Sequence, residues 1–326
     1  MGSDVWARAR LAFASQAALA GSLAFVAWTS NPWGFTLGLA FAGASSGVAC
    51  GASQALLLAA NRGDEDRAMV RWSLASALGD LVTPLVTAAA IAVGRSYRMA
   101  MGAVALLVAL QCGASARSLL RAAPTAESPA HAEGPADPLL VALRRALRLP
   151  RLWAWLLAAA SCTLLDELVI ALVVLRLERD GATTGALATA AAVTFAAGSA
   201  SGGALVERIR ERWTARALLT ASASLCMLAL AAVLAYHGAI ASCLSLFALG
   251  VACSPHHPLA MARAYRELPD RPGTVQAMGQ LFVVVDVVAP VFLGAAADRF
   301  GLGVAIGCLS LQPIVIASCA LLWPDP

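Results

Sequence analysis

The run Leu281-Phe282-Val283-Val284-Val285-Asp286-Val287-Val288-Ala289-Pro290-Val291-Phe292-Leu293 is apolar apart from one acid, which is followed four residues later by a proline. Extended on both sides, the run reaches some twenty residues, and a helix of that length crosses a hydrocarbon core of roughly 30 Å. A carboxylate at the centre of such a helix costs roughly 2.5 to 3.5 kcal/mol on insertion scales, so its presence calls for a reason in function or in ancestry. The pattern occurs once more, as Asp80-Leu81-Val82-Thr83-Pro84.

Composition extends this reading to the whole chain. Of 326 residues, 60 % are hydrophobic and only 13 % are charged, with a mean hydropathy of +0.75, which excludes an ordinary soluble globular protein. Ten apolar runs of span length lie near 10 to 29, 34 to 60, 70 to 93, 98 to 120, 152 to 175, 184 to 206, 216 to 236, 239 to 262, 274 to 297 and 301 to 323. None alternates as a barrel strand does, so the expected fold is an all-α polytopic membrane bundle of ten helices.

Every one of the 23 basic residues is Arg. With both termini in the cytoplasm, 18 of them fall inside and five, Arg95, Arg98, Arg176, Arg179 and Arg299, fall outside. That asymmetry predicts the orientation in a cell (inner or plasma) membrane and suits an even number of spans. The net charge of +4 arises in these loops and gives no argument for nucleic acid.

The eight cysteines lie within predicted spans without CxxC spacing, and read as small packing residues. Cys253 with the adjacent His256 and His257 is poorly spaced for a metal, so neither metal nor cofactor is expected. No nucleotide-binding string occurs, nor an HExxH or serine-triad pattern, so neither direct ATP use nor enzymatic chemistry is expected.

The chain divides at a stretch rich in proline and acid, Pro124 to Asp137, read as a disordered linker. Leu139 to Leu149 then places leucines opposite arginines, as in a short helix lying on the membrane surface. The expected domains are thus 1–123 with four spans, 124–149 as linker, and 150–326 with six spans. An internal repeat relates them. Gly47-Val48-Ala49-Cys50 returns as Gly250-Val251-Ala252-Cys253, Ala9-Arg10 as Ala215-Arg216, and Asp80 as Asp286, pairing the first four spans with the last four.

Two related halves joined by a linker resemble the major facilitator superfamily, and one loop resembles it specifically. The family signature G-x-x-x-D-R-x-G-R-R appears as Gly203-Ala204-Leu205-Val206-Glu207-Arg208-Ile209-Arg210-Glu211-Arg212, with Glu for Asp and Arg210 in place of the second Gly. Met1-Gly2-Ser3 stands where a member would read something like Asp-Arg-Met-Gly-Ser, so the resemblance runs from the family's third span to its twelfth.

The resemblance implies a secondary transporter working by alternating access, with Gly203, Glu207, Arg208 and Arg212 as a gating motif. It implies that the spans carrying Gln54, then Asp166 and Glu167, then His256 and His257 line a central cavity. Asp166 and Glu167 lie near mid-span, where a low dielectric favours a protonated carboxyl, the property a proton-coupled carrier uses. Being adjacent, they should point about 100° apart, so that one of them faces the cavity. His257 takes the repeat position of Gln54, and packing is the favoured role for both histidines, ahead of solute bonding or a response to pH. Asp80 and Asp286 are either proton sites or interhelical hydrogen-bonding groups. Exporters often carry Gly-Pro on the fifth span; here Thr83 precedes Pro84, a departure from that pattern that leaves both efflux and import open. The expected partners are a small organic solute, protons and the lipid bilayer, for a monomer. The alternative from another class is a non-transporting membrane remnant or scaffold.

Overall fold

Ten helical segments long and apolar enough to cross a membrane occur in the computed structural model, which describes residues 2–61, 63–93, 97–121, 144–180, 184–269 and 271–323. They coincide with the ten apolar runs. The first four spans are continuous: α1 (Gly2–Trp28), α2 (Pro32–Ala60), α3 (Glu65–Ala92) and α4 (Tyr97–Arg121). The linker to residue 143 lies outside the described residues. Residues 144–147 make one helical turn, fastened where the Trp153 indole N–H donates to the Leu147 carbonyl at 3.2 Å.

The later spans are mostly interrupted. The fifth consists of α5 (Pro150–Ser161), a π-helical turn at Leu164–Leu168, and α6 (Val169–Arg179), while α7 (Thr184–Ile209) and α8 (Ala215–Ala235) are continuous. The eighth span is α9 (Ala239–Cys253) and α10 (His256–Glu267); the ninth is α11 (Pro272–Gly279), a 3₁₀ turn at Gln280–Phe282, and α12 (Val283–Phe300); the tenth is α13 (Leu302–Cys308) and α14 (Leu311–Leu322). Proline accounts for two of these breaks. Pro255 has no N–H for the Val251 carbonyl, and the Ser254 hydroxyl donates to that carbonyl instead, at 3.0 Å. Pro313 likewise leaves the Leu309 carbonyl, which accepts from the Gln312 N–H at 3.2 Å. Between the ninth and tenth spans, Gly301 at φ +90 closes a tight connection after Asp298 and Arg299.

By contacts the chain forms two compact units, Met1–Arg62 with Leu85–Leu140, and Gly63–Pro84 with Val141–Pro326. The division differs from the repeat boundary because the first part of α3 carries acids whose cationic partners lie on α7 and α10, as described below. In the first unit α1 packs on α2 and α4. Gly38 lies so close to Phe25 and Val26 that a Cβ there would meet their side chains. Asn31 caps α2 by accepting from the Trp33 N–H at 3.0 Å, and Pro32 supplies the first helical residue.

In the second unit the closest packing joins α7 to α9. A Cβ on Gly198 would strike the Phe247 carbonyl, and one on Gly250 would strike the Phe195 carbonyl and the Ser199 N–H. Gly198-Ser199-Ala200-Ser201-Gly202 is a GxxxG stripe, which lets backbones approach where lipid offers no hydrophobic drive for association. A buried cluster including Leu165, Val169, Leu172, Leu246, Leu249 and Ile306 fills the interior next to this crossing. By contrast, α12 buries only Leu293 and Ala297 and exposes Val287, Val291 and Phe292, a surface suited to lipid.

Candidate functional site

The polar residues of the second unit gather at two levels, one near mid-span and one at helix ends. At mid-span, Asp166 and Glu167 sit in the π-helical turn between α5 and α6. At the start of this turn one backbone bond is diverted. The Leu165 N–H donates to Gln312 Oε1 of α14 at 3.0 Å, besides a bond to the Cys162 carbonyl at 3.2 Å, and so departs from the regular i→i−4 ladder. Gln312 is fully buried, and its Nε2 lies 3.2 Å from Nδ1 of His256, which is also fully buried. Three separate spans thus meet through one amide side chain.

The turn changes the expected display of the acids. Regular helical spacing would turn one of the pair away, yet in the π turn both Asp166 and Glu167 are exposed. Asp166 Oδ1 accepts from the Cys253 thiol at 3.7 Å, giving that cysteine a contact beyond packing, while Cys50 and Cys308 are exposed rather than buried. Asp80 of α3 and Asp286 of α12 are exposed as well. All four acids lie within electrostatic reach: Asp166 feels Asp80 and Glu167, and Glu167 feels Asp80 and Asp286. Among the described residues none of these four acids, which come from three spans, forms an ion pair.

The remaining candidates separate. His257 is half-buried on α10 beside His256. Gln54 is buried in α2 and belongs to the first unit. Among the described residues no group of three or more His, Cys, Asp or Glu is arranged to hold a metal ion.

The second level joins the start of α3 to the ends of α7 and α10. Asp64, Glu65 and Asp66 open α3, where carboxylates complement the positive end of the helix dipole. Arg210 forks onto Asp64 with bonds of 2.8 and 3.2 Å. Arg71 pairs with Glu207 at 2.6 Å, and Arg266 reaches Asp66 at 2.9 Å and Glu65 at 3.5 Å. Arg263, nearly buried, lies 4.0 Å from Asp66. Gly203 packs against Leu74 and, with Val70, Ser199 and Pro258, lines a small cleft beside this network.

Of the four residues of the gating signature, Glu207 is therefore ion-paired and Gly203 is at a helix contact, whereas Arg208 and Arg212 are exposed and form no ion pair among the described residues. The bidentate contact falls to Arg210, which occupies the place of a glycine in the signature. Sequence reasoning missed Arg210 as a partner, and missed Asp64, Asp66 and Gln312. The signals were available: three acids opening a span opposite an arginine-rich loop, and a lone amide in the apolar run Leu311-Gln312-Pro313-Ile314.

No curated protein sequence matches the chain. Among solved structures it resembles a variant of the E. coli fucose:proton symporter FucP, with 18 % identity and a TM-score of 0.70 over 99 % of this chain and 84 % of that one. FucP in an outward conformation, described as a major facilitator superfamily transporter, matches at 18 % identity and a TM-score of 0.67, covering 100 % of this chain and 83 % of that one. At such identity these likenesses speak for the fold. The family assignment comes from sequence: the profile of the Major Facilitator Superfamily matches residues 3–285. With ten membrane-spanning helices and a family profile covering most of its length, the chain belongs to the major facilitator superfamily and is a multi-pass secondary transporter of a small solute, not an enzyme.

Proposed function

We propose that the chain is a proton-coupled carrier of a small organic solute, working by alternating access, in which Asp166 and Glu167 take up and release the coupling proton. The observation that supports this most directly is the convergence of Asp80, Asp166, Glu167 and Asp286 without a cationic partner among the described residues. Like charges so placed cannot all ionise cheaply, and a group that must carry a proton for part of its time is suited to delivering one. The likeness to a fucose:proton symporter points the same way.

His256, His257 and Gln54 complete the proposed solute-handling groups, and the repeat-related halves 1–123 and 150–326 are the bodies that rock. Glu207 and its neighbours serve as the gate, on the cytoplasmic side of a plasma or inner membrane, with both termini also cytoplasmic and the protein acting as a monomer. Pro84 and Pro290 free backbone carbonyls one turn back and bend helices that move. Efflux and import should both be assayed, since Pro84 lies on the span where exporters of the family carry Gly-Pro but Thr83 replaces the glycine.

Proteoliposomes containing the purified chain, given a panel of small organic solutes and an imposed pH gradient, should show flux that follows the gradient. Flux independent of the gradient would refute proton coupling, and the absence of flux for every solute of a broad panel would refute the carrier reading.

A further inference from the structure

Gln312 joins the π turn to His256, and hydrogen-bond polarity makes the arrangement directional. The Leu165 N–H can only donate, so the oxygen of Gln312 must face it and the NH₂ must face His256. His256 Nδ1 is then an acceptor, and in the neutral ring the proton sits on Nε2. Nε2 has no hydrogen-bond partner among the described residues, so the Gln312 bond is what orients the ring.

A protonated His256 would present a donor at Nδ1 to a donor on Gln312. Turning the amide over to satisfy the ring would place its NH₂ against the Leu165 N–H and break that bond. Because both side chains are fully buried, water offers no cheap substitute for either contact. The π turn and a neutral His256 therefore belong to one hydrogen-bonding state.

We infer that Gln312 and His256 are positioning residues that hold the π turn at Leu164–Leu168, and through it keep both Asp166 and Glu167 displayed on the open face of their span. Without the Gln312 oxygen, Leu165 returns to the regular ladder, the turn loses its extra residue, and one of the two carboxyls rotates away. Among the described residues no cation pairs with either acid, so the backbone register decides which of them is displayed. This deepens the reading of Asp166 and Glu167 as the proton-carrying pair and rests on it for its functional meaning, but the structural claim is measured independently of transport.

The test uses the full chain in lipid nanodiscs and two readouts. Hydrogen exchange followed by mass spectrometry reports the segment 161–170, and dicyclohexylcarbodiimide, which labels carboxyls within membranes, reports the ratio of modified Asp166 to modified Glu167. Gln312→Met, an apolar replacement of similar length, should change exchange in 161–170 selectively and alter the labelling ratio by at least about threefold, as expected for rotation by roughly 100°. Gln312→Glu, which keeps an acceptor for Leu165, should restore both readouts toward the parent protein. A folded Gln312→Met chain with unchanged exchange and ratio overturns the inference. If that variant does not fold, His256→Leu decides by the same two criteria, with a smaller change expected because the Leu165 bond survives but its anchor is lost. Altered labelling in a chain that shows no pH-driven flux would leave this inference standing while refuting the proton-coupled reading; unaltered labelling with intact flux would do the reverse.

Discussion

The two polar levels of the second unit solve opposite electrostatic problems. At the helix ends, each acid of the network is matched to at least one arginine: Asp64 to Arg210, Glu207 to Arg71, and Glu65 and Asp66 to Arg266. At mid-span, where charge is most expensive, four acids converge and no arginine accompanies them among the described residues. Paired charges hold helices together, whereas unpaired ones exchange protons readily. The difference suggests that removing a mid-span acid should cost function and spare the fold, and that breaking a helix-end pair should alter conformational balance and stability first.

The largest expected effect tests that contrast at mid-span. Asp166→Asn with Glu167→Gln should reduce pH-driven flux in proteoliposomes to background while the thermal midpoint of the purified protein is retained. Unchanged flux would move the proton site to Asp80 or Asp286. A loss of folded protein, by contrast, should follow Gly198→Val or Gly250→Val, because the new side chain meets backbone rather than a movable rotamer. Overpacking of this kind costs about 1 to 3 kcal/mol or more and would be read as a lower thermal midpoint and poor yield.

At the helix ends a smaller effect is expected. Asp64→Asn or Arg210→Gln should each lower stability by about 1 kcal/mol, since Asp64 is substantially exposed and solvent screens the pair. The double-mutant cycle should show coupling of the same order, shrinking in high salt. Non-coupling would show that the bidentate contact does no more than fix the loop. The smallest effect should come from Arg212→Ala, within about 0.5 kcal/mol of the parent, because its side chain is exposed and makes no ion pair among the described residues. A loss of flux in Arg212→Ala equal to that in Arg210→Gln would erase the distinction drawn between these arginines.

The spans were legible because a lipid core imposes a length and a composition, and ten runs met both. The acids were legible for the same reason: Asp80, Asp166, Glu167 and Asp286 stand out wherever everything around them is apolar. Hidden from one-dimensional reading was anything that depended on a partner far along the chain. Gln312 is 147 positions from the amide it captures, and Arg210 is 146 from Asp64, so local pattern marks such residues as unusual but does not pair them. The π turn escaped notice because its own residues, Leu164 to Leu168, are compatible with an ordinary helix; the side chain that bonds its backbone lies on α14. The family signature drew the eye to Arg208 and Arg212, and away from the arginine that replaced a glycine.

The glycine crossing of α7 on α9 has a mechanical consequence. Side chains interposed between helices act as springs, since each can change rotamer and absorb a displacement. Where carbonyl oxygens and amide nitrogens are separated only by glycine Cα atoms, no such compliance exists, and the two helices form a single stiff rib. Four residues beyond Gly250, where Gly202 of α7 still packs against Ser254, the ladder of α9 is interrupted by the Ser254-Pro255 break, and a hydroxyl stands in for a missing amide. Rigid strut and soft joint are thus nearly contiguous, so a strain applied along α9 has little length in which to dissipate before it reaches His256.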